Sequence, residues 1–239
     1  MKSLQARSGE IEIMDDLSCR GEVVDQTLRE LEVINRLLGG DHVTIDGIRS
    51  LVDRADGRTQ FRIADCGCGG GDLAMKIFEW GKRNRMKLDV EGLDANPYII
   101  DIARRNFREV SFQTLNVFSP EFQKREYDII TATLFVHHFT DNELVELFRS
   151  WKSQARVGVV INDIHRHFLS YHSIRLLTSI FSRSAMVKFD APLSVRRAFR
   201  RNELAGILKR AGIEKYSLRW RWAFRWQLIF GMFFVFFFA

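Results

Sequence analysis

The sequence predicts an α/β protein built on a doubly wound, mostly parallel sheet of seven strands. From Phe61 onward, short apolar runs of strand length alternate with longer runs that carry apolar residues at helical spacing. Strands separated by helices of this length pair in parallel through right-handed crossovers. The stretch at residues 216–230 instead alternates aromatic with basic residues, which predicts an antiparallel C-terminal hairpin at the edge of the sheet.

The individual elements follow from their patterns and their boundary residues. The runs FRIAD, KLDVEGLD, VSFQTLN, YDIITATL and RVGVVIND predict the first five strands, in that order. Between the second and third strands, Asn96 is a helix cap and Pro97 occupies the first turn. After the fourth strand, Thr140 or Asp141 caps a helix, and Gly212 ends the last one.

Two helical additions lie outside this alternation. The run VVDQTLRELEVINRLLGG predicts an amphipathic helix ended by Gly39 and Gly40, and a helical insertion follows the fifth strand. Ligands of open parallel sheets bind at the carboxyl ends of the strands, so additions near those ends are expected to form a lid. The predicted division is a helical lid or extension at residues 1–58 and a main domain at 59–239, with the insertion at about 164–198.

Composition predicts a soluble, cytoplasmic protein. Hydrophobic residues make up 46% of the 239 residues and charged ones 28%. The three cysteines offer no disulfide framework, and the first residues contain no apolar core of a secretory signal. The aromatic C-terminus, WQLIFGMFFVFFFA, is about 14 residues long, too short for the roughly 20 that cross a bilayer. It predicts a buried strand at 226–230, with a tail that is either an extension of it or a peripheral membrane anchor.

Charge is unevenly distributed along the chain. Residues 183–225 contain twelve Lys or Arg and three Asp or Glu, a balance of +9, whereas the whole chain carries +6 and the remainder therefore −3. The basic third indicates either an anionic partner or a solvated helix face.

The glycine-rich loop CGCGGG at residues 66–71 is the main candidate site. Cys66 and Cys68 lack the further cysteine or histidine pair that a metal site needs. The dinucleotide pattern would require glycine at Asp72, and the Gly-Lys-Ser/Thr ending of a phosphate-binding loop is missing. What fits is an acid that ends a strand, followed by alternate glycines that let the backbone turn closely against a ligand at a helix N-terminus.

This loop, together with the acid that ends the second strand, resembles class I S-adenosylmethionine-dependent methyltransferases of the small-molecule, quinone or polyketide branch. The resemblance covers roughly residues 60–230 and implies a Rossmann-like fold with S-adenosylmethionine as cofactor. The resemblance implies that Asp65 lies near the methionine ammonium group and that the backbone of Gly67 and Gly69 approaches the methionine chain. It also implies that Asp94 binds the ribose hydroxyls. Asn116 would hydrogen-bond to the adenine amine, although the family more often has Asp at this position. The implied cofactor-binding residues are Asp65, Gly67, Gly69, Gly71, Asp94, Ala95, Asn116, Val117 and Thr133.

Histidines near two strand ends are candidates for acid–base chemistry. His138, with His137 as a weaker candidate, follows the fourth strand, where either residue would act as a base or merely pack against the cofactor. Asp163 and His165 follow the fifth strand, and we expect the carboxylate to pair with the imidazole and orient it, unless His165 only forms local contacts. The predicted catalytic residues are His165, His138 and Asp163, and the predicted acceptor contacts are Arg166 and Tyr171.

The acceptor predicted from the resemblance is a small aromatic or polyketide-like molecule methylated on a hydroxyl. The Asn/Asp-Pro-Pro-aromatic motif of base amino-methyltransferases is missing, and no cysteine is placed for RNA C5-methylation. The 20 phenylalanines suit an apolar pocket. Three alternatives stay open: C-methylation of a quinone-type ring, nucleic-acid methylation through the basic third, and a cofactor-binding protein without turnover.

Overall fold

The computed structural model describes residues 4–55 and 57–231, which form helical layers around one mixed sheet. The sheet has seven strands in the order β3-β2-β1-β4-β5-β7-β6. The strands are β1 Gln60–Cys66, β2 Lys87–Asp94, β3 Ser111–Thr114, β4 Tyr127–Thr133, β5 Ala155–Ile164, β6 Tyr216–Arg221 and β7 Arg225–Phe230.

Strands β1 to β5 are parallel, and β7 inserts antiparallel between β5 and β6. In the β5–β7 pairing, Ile161 lies opposite Leu228. All six residues of β7 are buried because the strand has neighbours on both sides, whereas β6 forms the edge and is partly exposed. The predicted Rossmann-like sheet with its C-terminal hairpin is therefore confirmed.

Helices cover both faces of the sheet. On one face, α6 and α9 bury residues such as Phe148, Trp151 and Ile207; on the other, α2, α3 and α4 bury Ile48, Ile77 and others. The helices are α1 Glu22–Leu37, α2 Gly40–Val52, α3 Asp72–Arg83, α4 Pro97–Asn106, α5 Pro120–Gln123, α6 Asp141–Gln154, α7 Phe168–Phe181, α8 Ala185–Arg197 and α9 Arg201–Arg210. Short 3₁₀ turns occur at Ile13–Asp15 and Val136–His138.

The predicted caps explain where two of the central helices begin. The Asn96 side chain accepts hydrogen bonds from the backbone N–H groups of Tyr98 and Ile99, and Pro97 fills the first turn of α4. Thr140 caps α6 in a reciprocal box with Glu143. These caps hold the starts of α4 and α6 next to the carboxyl ends of β2 and β4.

The N-terminal part contains two long helices, of which only the first was predicted. Gly39 adopts a left-handed φ of +69°, and the chain re-enters a helix at Gly40. A Cβ on Gly47 of α2 would lie 2.5 Å from Val160 of β5, so α2 packs directly on the sheet. Helix α1 instead contacts the insertion, where Thr27 Oγ1 lies 2.8 Å from Ser184 Oγ. The division at residue 58 stays a prediction.

The aromatic tail raises a separate question that concerns membranes. Residues 232–239, on which the predicted anchor rests, lie outside the described residues. Within residues 4–55 and 57–231, no helix has the length and hydropathy needed to traverse a bilayer.

Candidate functional site

The glycine loop connects β1 to α3 through three left-handed positions. Gly67, Gly69 and Gly71 have φ values of +70°, +52° and +87°. A Cβ on Gly67 would lie 2.1 Å from the Phe135 ring, and one on Gly71 would lie 2.6 Å from the Phe112 ring. On Gly69 it would meet only Leu28, at 3.7 Å. The first and last glycines are therefore required by packing, while the middle one leaves the loop open toward a cavity.

Both cysteines of the loop are buried and serve the core. Cys66 is fully buried between neighbouring strands, and Cys68 is 8% exposed. Burial raises the pKa of both thiols well above the usual value, so neither presents a thiolate.

Asp65 places a carboxylate with one unused oxygen under the loop. Its Oδ1 accepts a hydrogen bond from Thr131 Oγ1 at 3.0 Å. Its Oδ2 has no hydrogen-bond partner in the part of the chain that the structure describes, although the residue is only 1% exposed. Burial raises the pKa of Asp65 to about 7. A buried, unpaired acceptor lining a cavity is the arrangement that a cationic ligand group would satisfy.

Asp94, at the end of β2, is held in place by backbone donors. The N–H of Asn96 donates to its Oδ1 at 2.9 Å, and the N–H of Gly69 donates to its Oδ2 at 3.3 Å. Each oxygen keeps a second acceptor position, which suits a vicinal diol. The Gly69 bond connects the end of β2 to the glycine loop, so the two predicted motifs are in direct contact.

A cavity of about 1300 Å³ lies over the carboxyl ends of the central strands. Its walls also include the N-terminal segment, α1 and α8, so both predicted lid additions contribute to it. Gly71 packs behind the loop and is not part of the lining. The predicted site residues that line the cavity are Asp65, Gly67, Gly69, Asp94, Ala95, Asn116, Val117, Thr133 and His138. The structure thus brings together nearly the whole predicted cofactor set.

His137, which lines this cavity, forms a buried pair with Asp163. His137 Nδ1 lies 2.8 Å from Asp163 Oδ1, and the His137 backbone N–H donates to Oδ2 of the same carboxylate at 3.1 Å. Burial alone would raise the pKa of Asp163, but the neighbouring His137 holds it below the usual value. The carboxylate therefore fixes the orientation of the His137 ring.

His138 is held in the same way by an acid from the N-terminal segment. Its Nδ1 lies 2.5 Å from Asp15 Oδ1, and Arg197 of α8 forms a salt bridge with Asp15. Burial would raise the pKa of Asp15, but His138 and Arg197 together lower it well below the usual value. The two histidine rings lie 4.3 Å apart between centroids.

Glu12 completes this cluster. It is 4% exposed, and its Oε1 lies 3.6 Å from His137 Nε2, while Ser194 donates to its Oε2 at 2.8 Å. Burial outweighs the nearby cations and raises the pKa of Glu12 to about 7. Sequence reasoning missed both Glu12 and Asp15, because nothing in the local run IEIMDD indicates a site more than a hundred residues away.

The predicted pairing of Asp163 with His165 is not observed. Asp163 is engaged by His137 and by the backbone N–H of Ile164. His165 packs edge-on against Trp226, with centroids 4.8 Å apart, and lines a second, smaller cavity. Burial and the neighbouring cations lower the pKa of His165 to about 4. Its backbone N–H donates to the Phe224 carbonyl, and the residue is not part of the lining of the large cavity.

The two predicted acceptor contacts also lie outside the large cavity. Arg166 is buried, donates to the Ala198 carbonyl at 2.5 Å and forms a salt bridge with Glu203. Its guanidinium is therefore engaged by groups of the protein itself. Tyr171 of α7 is half-buried and packs against His172. Neither is part of the lining of the large cavity.

Comparison with known proteins supports a single family. Residues 63–158 match the family model described as a methyltransferase domain. The chain is 25% identical over 177 residues to a ubiquinone biosynthesis O-methyltransferase of Aliivibrio fischeri, covering 71% of this chain and 68% of that protein.

Solved structures show the same fold at lower identity. The plantazolicin methyltransferase BpumL in complex with SAH matches with a TM-score of 0.58 and 18% identity, covering 82% of each chain. An O-methyltransferase family protein from Burkholderia thailandensis matches with a TM-score of 0.63 and 15% identity, covering 92% of this chain and 62% of that one. The strand order, the glycine loop joined to Asp94 and the matched domain agree. Residues 63–158 therefore contain a methyltransferase domain, and the chain has the Rossmann-like fold of S-adenosylmethionine-dependent methyltransferases.

Proposed function

We propose that this protein methylates a hydroxyl group of a small aromatic or polyketide-like acceptor. The observation that carries the proposal is that one cavity is lined both by the glycine loop with its two acids and by a histidine–carboxylate cluster. A hydroxyl must lose its proton to become an effective nucleophile, and histidine and carboxylate groups are suited to that purpose. The relative from Aliivibrio fischeri is also an O-methyltransferase by name.

The cofactor-binding assignments rest on the chemistry of the donors and acceptors that line the cavity. When bound, S-adenosylmethionine supplies a methyl group activated by its sulfonium centre. The unpaired Oδ2 of Asp65 would accept from the methionine ammonium group, and the fixed carboxylate of Asp94 would accept from the ribose hydroxyls. Ala95, Asn116 and Val117 would surround the adenine, with Thr133 and the open face of Gly69 beside the methionine chain.

The acceptor would occupy the end of the cavity where apolar walls meet the histidine pair. We assign its hydroxyl to the cluster of Glu12, His137 and His138, in place of His165, because His165 lines a different cavity. Asp163 would then act as a positioning residue for His137. An aromatic or lipophilic body fits the apolar part of the lining, which includes Met14, Leu17, Phe118, Leu134, Phe135, Phe139, Trp222 and Phe224.

A transfer assay tests the proposal. The protein is incubated with S-adenosylmethionine and a panel of phenols, polyketide-like polyols and reduced quinones, and products are analysed by mass spectrometry and carbon NMR. We expect a methoxy carbon on a phenolic or polyketide-like acceptor. Asp94→Ala should lose the activity, whereas Asp101→Ala, an exposed aspartate on α4, should retain it.

Three other results would contradict O-methylation. A ring C-methyl product would establish the quinone-type alternative. Methyl incorporation into RNA with steep salt dependence would favour the nucleic-acid alternative, for which the basic residues 183–225 are the motivation. Cofactor binding without methyl transfer to any acceptor class would favour a non-catalytic protein.

A further inference from the structure

Two buried atoms at the polar end of the cavity face each other without a hydrogen bond. Glu12 Oε1 and His137 Nε2 are 3.6 Å apart, and among the described residues neither has a hydrogen-bond partner. Such atoms are costly to bury unless something satisfies them. Two ligands about 2.1 Å from one metal ion, at about 100–120° to each other, lie roughly 3.2–3.6 Å apart. The observed spacing is that of two ligands of one ion.

His138 supplies a third ligand at the same point. One ligand atom each from Glu12, His137 and His138 lies within 4.8 Å of the other two. The side chains come from two separate segments, the N-terminal segment and the 3₁₀ turn after β4, which the fold brings together. A set of two imidazoles and one carboxylate that leaves other positions open is a known arrangement for divalent metals.

The surroundings of both rings match the outer shell of a metal site. Asp163 binds Nδ1 of His137, and Asp15 binds Nδ1 of His138. A carboxylate only accepts hydrogen bonds, so Nδ1 of each ring donates to its carboxylate, and in the neutral ring Nε2 is the nitrogen with the lone pair that a metal ion needs. Metal-ligating histidines usually donate their other N–H to a carboxylate in this way. Here two such pairs lie side by side, with the ring centroids 4.3 Å apart.

Charge also favours a cation at this point. Three carboxyl groups, those of Glu12, Asp15 and Asp163, belong to the cluster. Arg197, whose Nε lies 3.8 Å from Glu12 Oε1 and which pairs with Asp15, contributes one positive charge. With Glu12 deprotonated, as a metal ligand must be, the balance of three carboxylates and one guanidinium is −2, which a divalent cation would neutralise.

We propose that Glu12, His137 and His138 bind a divalent first-row transition-metal ion of the zinc, iron or cobalt type. Imidazole ligands favour these ions over magnesium and calcium. This part of the inference rests on the proposed function: the acceptor hydroxyl oxygen would bind at an open position of the ion, which would lower the pKa of the hydroxyl. The hydroxyl proton then leaves to water, an oxygen lone pair forms the new bond to the methyl carbon, and the sulfonium sulfur keeps the electron pair of the broken bond.

The test is direct metal binding, with Zn²⁺ and Co²⁺ as probes. Protein dialysed against a chelator is titrated calorimetrically with Zn²⁺, and with Co²⁺ while its visible absorption is recorded. We expect one equivalent of metal bound by the wild type. Glu12→Gln and His137→Ala should weaken binding by about a hundredfold, and Asp163→Asn by roughly 10–100-fold through the loss of ring orientation. His172→Ala, which removes an exposed histidine on α7, should bind as the wild type does.

Two outcomes would overturn the proposal: a wild type that binds neither ion, or a Glu12→Gln variant that binds both as tightly as the wild type. Because Glu12 lies in the N-terminal segment and outside the two main cores, its substitution tests the site without removing core packing. Circular dichroism of each variant checks the fold. S-adenosylmethionine binding is measured on the same samples, so loss of the metal site with the cofactor still bound would leave the proposed function standing.

Discussion

Replacing Asp94 tests whether its carboxylate binds the ribose of S-adenosylmethionine. Asp94 is fixed by the N–H groups of Asn96 and Gly69, so its two oxygens are already oriented before any ligand arrives. Asp94→Ala would remove two charge-assisted hydrogen bonds to the ribose diol. At about 1–1.5 kcal/mol each, the expected loss is about 2–3 kcal/mol, or about 30–150-fold in the dissociation constant of S-adenosylmethionine.

Asp94→Asn keeps one oxygen acceptor and should lose about half of that free energy, roughly tenfold in affinity. Isothermal titration calorimetry measures both variants, with Asp101→Ala as an exposed aspartate control on the neighbouring helix. Thermal unfolding separates lost ligand contacts from a disturbed loop, because Asp94 also accepts from Gly69. Wild-type affinity in a folded Asp94→Ala variant would refute the assignment of the ribose to this residue.

Three further predictions concern the same chain. Because burial raises the folded-state pKa of Asp65 to about 7, the folded protein binds this proton more tightly than the unfolded chain. Without cofactor, the free energy of unfolding should therefore fall as the pH rises from about 4 to about 7. In denaturant titrations of Asp65→Asn, this fall should be smaller by roughly 4 kcal/mol. An equal fall in the variant and the wild type would contradict the prediction. Gly67→Ala should lower the free energy of unfolding by about 2–4 kcal/mol, because the added Cβ would lie 2.1 Å from the Phe135 ring. Gly69→Ala should lower it by only about 1 kcal/mol. Equal losses in the two variants would argue against the packing explanation. Deleting residues 233–239 should reduce sedimentation with anionic lipid vesicles, and unchanged sedimentation would exclude the anchor.

Local patterns in the sequence were enough to predict the fold and most of the residues that line the candidate cofactor site. Strand and helix periods, the Asn96 cap and the loop of alternate glycines depend on interactions within a few residues. Asp65 and Asp94 end adjacent parallel strands, and strand ends of one parallel sheet meet at one edge. Their common location therefore follows from the chain order alone.

The helix packed under the fifth strand was missed for an equally physical reason. Residues 40–52 contain Gly40, Gly47 and a run of polar side chains, which are poor local indicators of a helix. The helix is stabilised by tertiary contact, since Gly47 allows close approach to Val160. Propensity is a weak guide where packing decides the element.

The partners of the candidate catalytic histidines were decided only by the tertiary structure. Asp163 and His165 are two residues apart, yet the carboxylate binds His137, from a different strand end, and His165 packs on Trp226. Glu12 and Asp15 reach the histidine pair because the N-terminal segment folds across the cavity and is held there by Arg197 and Ser194 of α8. The sequence determined the sheet, the loop and the two acids through short-range geometry. The partners of the histidines depended on long-range packing, which no local pattern encodes.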